Sequence, residues 1–163
     1  MRNATLARHV VAGAAAGAAG TTVLNTVTYL DMALRGRPAS GLPEQAAGVL
    51  ADRVHADLGE GGTADNRRQG LGPMLGIAAG VGVGAAYGLY RYATARRRTR
   101  PLDVGAVAVL ASVAGNAPLT ALRLTDPRTW GATGWLSDAV PHLAYALATI
   151  ATFDLTRTRP RRR

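Results

Sequence analysis

The stretch Gln69–Tyr90, QGLGPMLGIAAGVGVGAAYGLY, carries no charge and sets Gly72, Gly76, Gly80, Gly84 and Gly88 four residues apart. As a helix rising 1.5 Å per residue it is long enough to cross a hydrocarbon core of about 30 Å. Lipid supplies little hydrophobic drive between helices, so their association rests on close van der Waals packing and on the small residues that permit it. Glycines along one side leave a groove where another backbone can approach. Earlier in the chain Gly13 and Gly17, with Thr21 in line and Gly20 beside them, offer a matching strip. The pattern predicts a tightly packed helix pair, with a self-association face between protomers as the alternative. Gly76, Gly80 and Gly82 also imitate the phosphate-binding loop of short-chain dehydrogenases, but the preceding Asn66–Gln69 cannot be the buried strand that loop requires.

Working outward, three more uncharged runs appear: Val10–Leu30, Val104–Leu122 and Ala139–Phe153. The last extends into a helix over Asp138–Arg157, with Ser137 as its N-cap and Pro141 in the first turn, where a missing N–H costs little. The expected fold is all-α: one integral membrane domain over residues 1–163, a four-helix transmembrane bundle with spans near 10–30, 70–90, 104–122 and 138–157. Arg2 and Arg8 ahead of an alanine-rich run also suit a cleaved signal peptide, although the run exceeds the usual apolar region of about 7–15 residues, and its retention stays open.

Between the first two spans, residues 31–69 form the one sizeable loop. Within it Pro43–Leu58 reads as a short amphipathic helix closed by Gly59, with Ala47, Leu50, Val54 and Leu58 on its apolar side. Glu60–Gln69, EGGTADNRRQ, reads as a flexible linker by composition.

Arginine placement orients the chain. Twelve arginines (Arg2, Arg8, five from Arg91 to Arg100, five from Arg157 to Arg163) fall on the side that holds both termini. Seven (Arg35, Arg37, Arg53, Arg67, Arg68, Arg123 and Arg128) fall on the other. Positive charge accumulates on the cytoplasmic side, which predicts a cell-membrane protein with both termini cytoplasmic. Trp130 and Trp135 then mark the outer interface and Tyr90 and Tyr92 the inner one. Arg67 and Arg68, close to the outer end of the second span, run against the rule.

Composition narrows the chemistry. The 163 residues are 48% hydrophobic, yet Phe153 is the one phenylalanine and most apolar residues are alanine, glycine and valine, a poor recipe for a water-driven core. All 19 basic residues are arginine, which removes every lysine-dependent reaction, and the absence of cysteine removes thiol nucleophiles and disulfides. His9, His55 and His142 lie in separate segments, which disfavours a metal site. The expectation is no catalytic residue, no cofactor and no metal.

Polar residues inside the spans are the remaining functional signal, because such groups face a bundle interior or a wet cavity. On the first helix Thr21, Asn25 and Thr28 share a side with Asp31; on the third, Ser112, Asn116 and Thr120 recur every fourth residue. On the fourth, Asp138, His142, Tyr145, Thr149 and Thr152 follow one face. Asn25, Asn116 and the Asp138–His142 pair are expected to meet, with Pro118 disturbing the third helix near Asn116. The bland account is interhelical hydrogen bonding; the functional one makes Asp138 and His142, one turn apart, a proton-exchanging or ligand-binding pair.

The arginine clusters Arg96–Arg100 and Arg157–Arg163 directly follow spans and are not interleaved with aromatics, so they predict contact with anionic lipid headgroups of the bilayer and not nucleic-acid binding. At Leu124–Tyr145 (LTDPRTWGATGWLSDAVPHLAY) and Thr28–Ser40 (TYLDMALRGRPAS) the chain resembles a group of uncharacterised small multi-pass membrane proteins of high-GC Gram-positive bacteria. The order Leu-Thr-Asp-Pro, Trp, Ser-Asp, His-Leu and an aromatic is also similar to the end of YagU-type inner-membrane proteins, with Pro141 where those have glycine. Neither resemblance implies an activity. Two function classes follow: a structural, accessory or assembly protein that joins a second copy or another membrane protein, and a small transporter or permeation element using the polar cluster. An enzyme ranks third.

Overall fold

The computed structural model describes residues 2–95 and 100–156, and its regular elements are helical throughout: α1 (Arg2–Arg35), α2 (Leu42–Arg53), α3 (Gly61–Thr94), α4 (Pro101–Ala121) and α5 (Ala132–Thr156), with a 3-10 turn at Pro127–Thr129 before α5. α1, α3 and α4 coincide with uncharged runs, and each is long and apolar enough to cross a membrane. α5 is 25 residues long, but Asp138, Pro141, His142 and Asp154 lower its apolarity and it is not among those three.

α1 runs antiparallel to α3 and α5, α3 and α5 run parallel to each other where Gly80 meets Tyr145 and Arg91 meets Asp154, and the four long helices share one core. α1 packs most extensively on α3 and α5, α4 on α5 and then α3. The core joins Ala16 of α1, Val83 and Tyr87 of α3, Val107 and Ala111 of α4, and Tyr145, Ala146, Ile150 and Phe153 of α5. Larger aliphatics point outward: Val109 is 64% exposed, Leu147 54% and Ile77 48%. An outer surface this rich in exposed valine, leucine and isoleucine departs from that of a water-soluble domain. The start of α1 lies beside the ends of α3 and α5, where the His9 ring meets Tyr92 and Phe153 at centroid distances of 5.6 and 6.2 Å. At the opposite end Arg35 donates to the Ser137 hydroxyl at 2.8 Å.

Several expectations are corrected here. Residues 60–69 are not a flexible linker, since α3 begins at Gly61 and reaches about 51 Å along its axis, well beyond a bilayer core. The cause is tertiary: α2 lies against this extension, burying Ala46, Ala47 and Ala51 against the side that carries Ala64 and Gly72, and such packing outweighs the low helix propensity of the glycines. α2 therefore uses its alanines as the contact, whereas Val54, expected on the apolar face, is 72% exposed.

α2 also stops at Arg53 and not at Leu58. His55 adopts a left-handed conformation (φ 54°), and the Ala56 N–H returns to the Ala51 carbonyl at 2.9 Å, the closure expected of Gly59. Finally, α5 starts at Ala132, so Ser137 is not its cap and Pro141 is interior. The Trp135 N–H bonds the Gly131 carbonyl, and the Trp130 and Trp135 rings pack edge to face at 5.1 Å, which secures the added turn. Pro118 is likewise accommodated, since α4 continues past it to Ala121.

Candidate functional site

Two kinds of contact hold the helices together. The first is backbone on backbone. A Cβ placed on Gly17 would stand 2.5 Å from the Gly80 carbonyl oxygen and 2.9 Å from the Gly84 Cα; one on Gly84 would stand 2.5 Å from the Gly17 Cα. Gly13 meets Gly84 and Gly88 in the same way, and Gly88 meets the His9 carbonyl. Gly80 faces the Thr21 hydroxyl, which itself donates to the Gly17 carbonyl at 2.9 Å. Gly72 sits instead under α2, its added Cβ 2.8 Å from the Glu44 nitrogen, and Gly76 has nothing within 4 Å. The divergence is geometric: each four-residue step advances about 400°, so the strip drifts about 40° per glycine and turns from α1 toward α2.

The second kind is polar and gathers where α4 meets α5. The Asp138 carboxylate accepts from the Ser112 hydroxyl at 2.7 Å and from the Asn116 amide at 2.8 Å, each on its own oxygen. His142 Nδ1 lies 3.3 Å from the Asp138 carboxylate and 2.7 Å from the Asp138 carbonyl. The His142 and Asp138 side chains are only 15% and 13% exposed. With one bond from α4 on each oxygen, this carboxylate is suited to locking two helices together in an apolar setting.

Other expected members fall elsewhere. Asn25 forms no side-chain hydrogen bond among the described residues. It lies about 140° round α1 from Gly20, the position facing α5, and so points away from Asn116. Asp31 stays on α1, where Arg37 Nε approaches at 2.6 Å and Arg35 at 3.2 Å; through the Arg35–Ser137 bond this group borders the Asp138 cluster. Tyr145 lies deeper, buried, and donates its hydroxyl to the Gly80 carbonyl at 2.6 Å, so it joins α5 to the α1–α3 contact and not to His142.

Sequence reasoning missed Arg91. Counted as a loop charge, it is 1% exposed at the opposite end of the bundle. It donates to the Tyr87 hydroxyl, pairs with Asp154 at 3.1 Å and lies 5.5 Å from the centroids of both Tyr87 and Phe153. Tyr90 nearby donates to Asp103 at 3.2 Å, tying α3 to α4. The available signal was the Tyr87–Arg91 spacing of one turn together with an aspartate, Asp154, at the end of the last apolar run. A buried arginine needs such partners because an uncompensated charge there is costly.

Among the described residues no three His, Cys, Asp or Glu side chains are placed to hold a metal ion. Of the two arginine clusters, Arg96, Arg97 and Arg98 in the first and the whole of Arg157–Arg163 lie outside the described residues. Arg100 precedes α4, its N–H bonding Asp103 at 2.8 Å. No protein-family model, curated protein or solved structure matches the chain.

Proposed function

We propose that this is a small integral membrane protein of the cell membrane that crosses the bilayer four times with both termini cytoplasmic, and that its role is structural: an accessory or assembly element built on the glycine contact between α1 and α3. The observation that carries the reading is the meeting of Gly13 and Gly17 with Gly84 and Gly88 beneath a surface of outward-facing valine, leucine and isoleucine. Close backbone approach is how helices associate where the solvent is as apolar as the side chains. α5 serves as the fourth crossing, since about 37 Å of helix exceeds the hydrocarbon thickness and its polar residues Asp138 and His142 turn toward α4. Arg67 and Arg68, on the protruding start of α3, then stand clear of the apolar layer. Arg96–Arg100 and Arg157–Arg163 contact anionic headgroups on the inner side.

The second reading, a small transporter or permeation element, draws on the convergence of Ser112, Asn116, Asp138 and His142. The bonds that Ser112 and Asn116 of α4 give to Asp138 of α5 favour the structural reading over it. Reporter fusions test the topology: a reporter active only in the cytoplasm should work after Arg98 and after Arg163 and fail near Gly62, and the reverse pattern overturns the orientation. Crosslinking in native membrane tests the role. A stable oligomer or protein partner is expected, and ligand-dependent stabilisation with no partner would favour transport.

A further inference from the structure

Between the first turn of α2 and the start of α3 lies a polar cavity of about 260 Å³, lined by Gly41, Glu44, Asp65, Asn66, Arg68 and Gln69. Glycines make room for it. Gly72 lets the backbone at Pro43 and Glu44 settle on α3, and Gly48 lets the stem of Arg68 lie across α2, its Cδ 3.1 Å from where a Cβ would stand. Arg68 gives one nitrogen to Asp65 at 2.6 Å, and the rest of its guanidinium bonds nothing among the described residues. Glu44 pairs with no arginine or histidine among the described residues, and its Oε2 is enclosed without a hydrogen-bond donor, which leaves Oε1 as the accessible oxygen. A carboxylate shielded from water on one side is poorly solvated, so it gains more from a nearby cation than a fully wet one. Asn66 and Gln69 form no side-chain hydrogen bond among the described residues, so both amides are free to accept and donate. The level of the cavity follows from α3. Gln69 begins the uncharged run, and Asp65 lies about 6 Å beyond it, which matches a headgroup layer of about 5–7 Å on each side of the hydrocarbon.

We propose that this cavity binds a zwitterion carrying a primary ammonium and a phosphate, the chemistry of an ethanolamine phospholipid headgroup or of free phosphoethanolamine. The ammonium donates to Glu44 and to the amide carbonyls of Asn66 and Gln69, while the phosphate accepts from the guanidinium nitrogens of Arg68 that Asp65 leaves unengaged. A divalent cation fits less well. The lining offers two carboxylates, one of them already held by a guanidinium, and the described residues bring no third acid or histidine to complete a set. A purely anionic headgroup would meet Glu44 with like charge, which sets this site apart from the arginine clusters that follow α3 and α5. Arg68 also gains a task at an end of the span where positive charge is otherwise disfavoured. The site goes beyond the structural role and stands without it; only the bilayer as source of the ligand rests on α3 crossing the membrane.

The test compares the full chain in nanodiscs of phosphatidylcholine with the same nanodiscs containing phosphatidylethanolamine, which keeps the phosphate and adds N–H donors. Phosphatidylethanolamine should raise the thermal unfolding midpoint of the wild type by several degrees, because a ligand bound only to the folded state stabilises it. The rise should be lost in Glu44→Gln and in Arg68→Gln and kept in Asp52→Asn, which changes an exposed acid of α2 outside the cavity. A second arm gives phosphoethanolamine or phosphocholine to the chain in phosphatidylcholine nanodiscs and reads binding by broadening of the phosphorus NMR line. Binding of phosphoethanolamine that Glu44→Gln abolishes assigns the ligand to a free source, and a Glu44-dependent response to the lipid alone assigns it to the bilayer. No response in either arm, or responses equal in the wild type and Glu44→Gln, overturns the site. Equal binding of phosphocholine overturns the recognition of a primary ammonium. The soluble arm does not depend on where the bilayer sits, so it separates failure of this site from failure of the spanning reading.

Discussion

Where α1 meets α3, Gly13 and Gly17 lie against Gly84 and Gly88 with main chain touching main chain, while where α4 meets α5, Ser112 and Asn116 reach across to a single carboxylate. The first contact depends on what the residues lack and tolerates no added atom. The second depends on what they carry, and each bond can be removed singly. One interface is therefore steeply sensitive to volume and the other graded in polarity, a contrast that follows from packing and hydrogen bonding as the two available adhesives in lipid.

The largest effect should come from the α1–α3 contact. Gly84→Leu pushes a side chain into the Gly17 backbone, and because backbone cannot yield as a side-chain tip does, the loss should reach about 3 kcal/mol in detergent-driven unfolding. Gly82→Leu, whose Cβ meets nothing, should stay within about 0.5 kcal/mol. Equal tolerance of both would erase the contrast between the two interfaces.

At the polar contact, Asp138→Ala leaves the Ser112 hydroxyl and Asn116 amide without their acceptor and should cost about 1–3 kcal/mol in the same assay. A loss as large as that of Gly84→Leu would mean that both contacts act as one unit. Asn116→Ala removes one bond between α4 and α5, along with contacts to Ser112 in its own helix, and should cost about 0.6 kcal/mol, the usual worth of an interhelical bond in a membrane. Asn25→Ala, which breaks no bond among the described residues, should be silent; a cost matching that of Asn116→Ala would return Asn25 to the site.

Features written in short spacings were legible beforehand. Uncharged runs locate α1, α3 and α4, and the four-residue recurrence of Ser112, Asn116 and of Asp138, His142 puts each pair on one helix side. What failed to show were three features that a partner element decides. The helical state of residues 61–69 is imposed by α2. The isolation of Asn25 follows from which side of α1 faces α5, and the burial of Arg91 from where Phe153 and Asp154 arrive. Local composition, glycine-rich and polar at 61–69 and charged at Arg91, pointed to solvent, whereas the polarity of Asn25 pointed to the bundle interior.

The bond from Arg35 to Ser137 spans 102 positions in the chain, so the first helix finishes against the last. At a synthesis rate of about 5–20 residues per second, roughly 5–20 seconds separate the emergence of one partner from that of the other. Through that interval the Gly20 side of α1, later covered by Tyr145 and Thr149, has no α5 to receive it. α3 emerges sooner, so the order of synthesis favours closing the glycine contact first, with the arrival of α5 as the event that completes the fold.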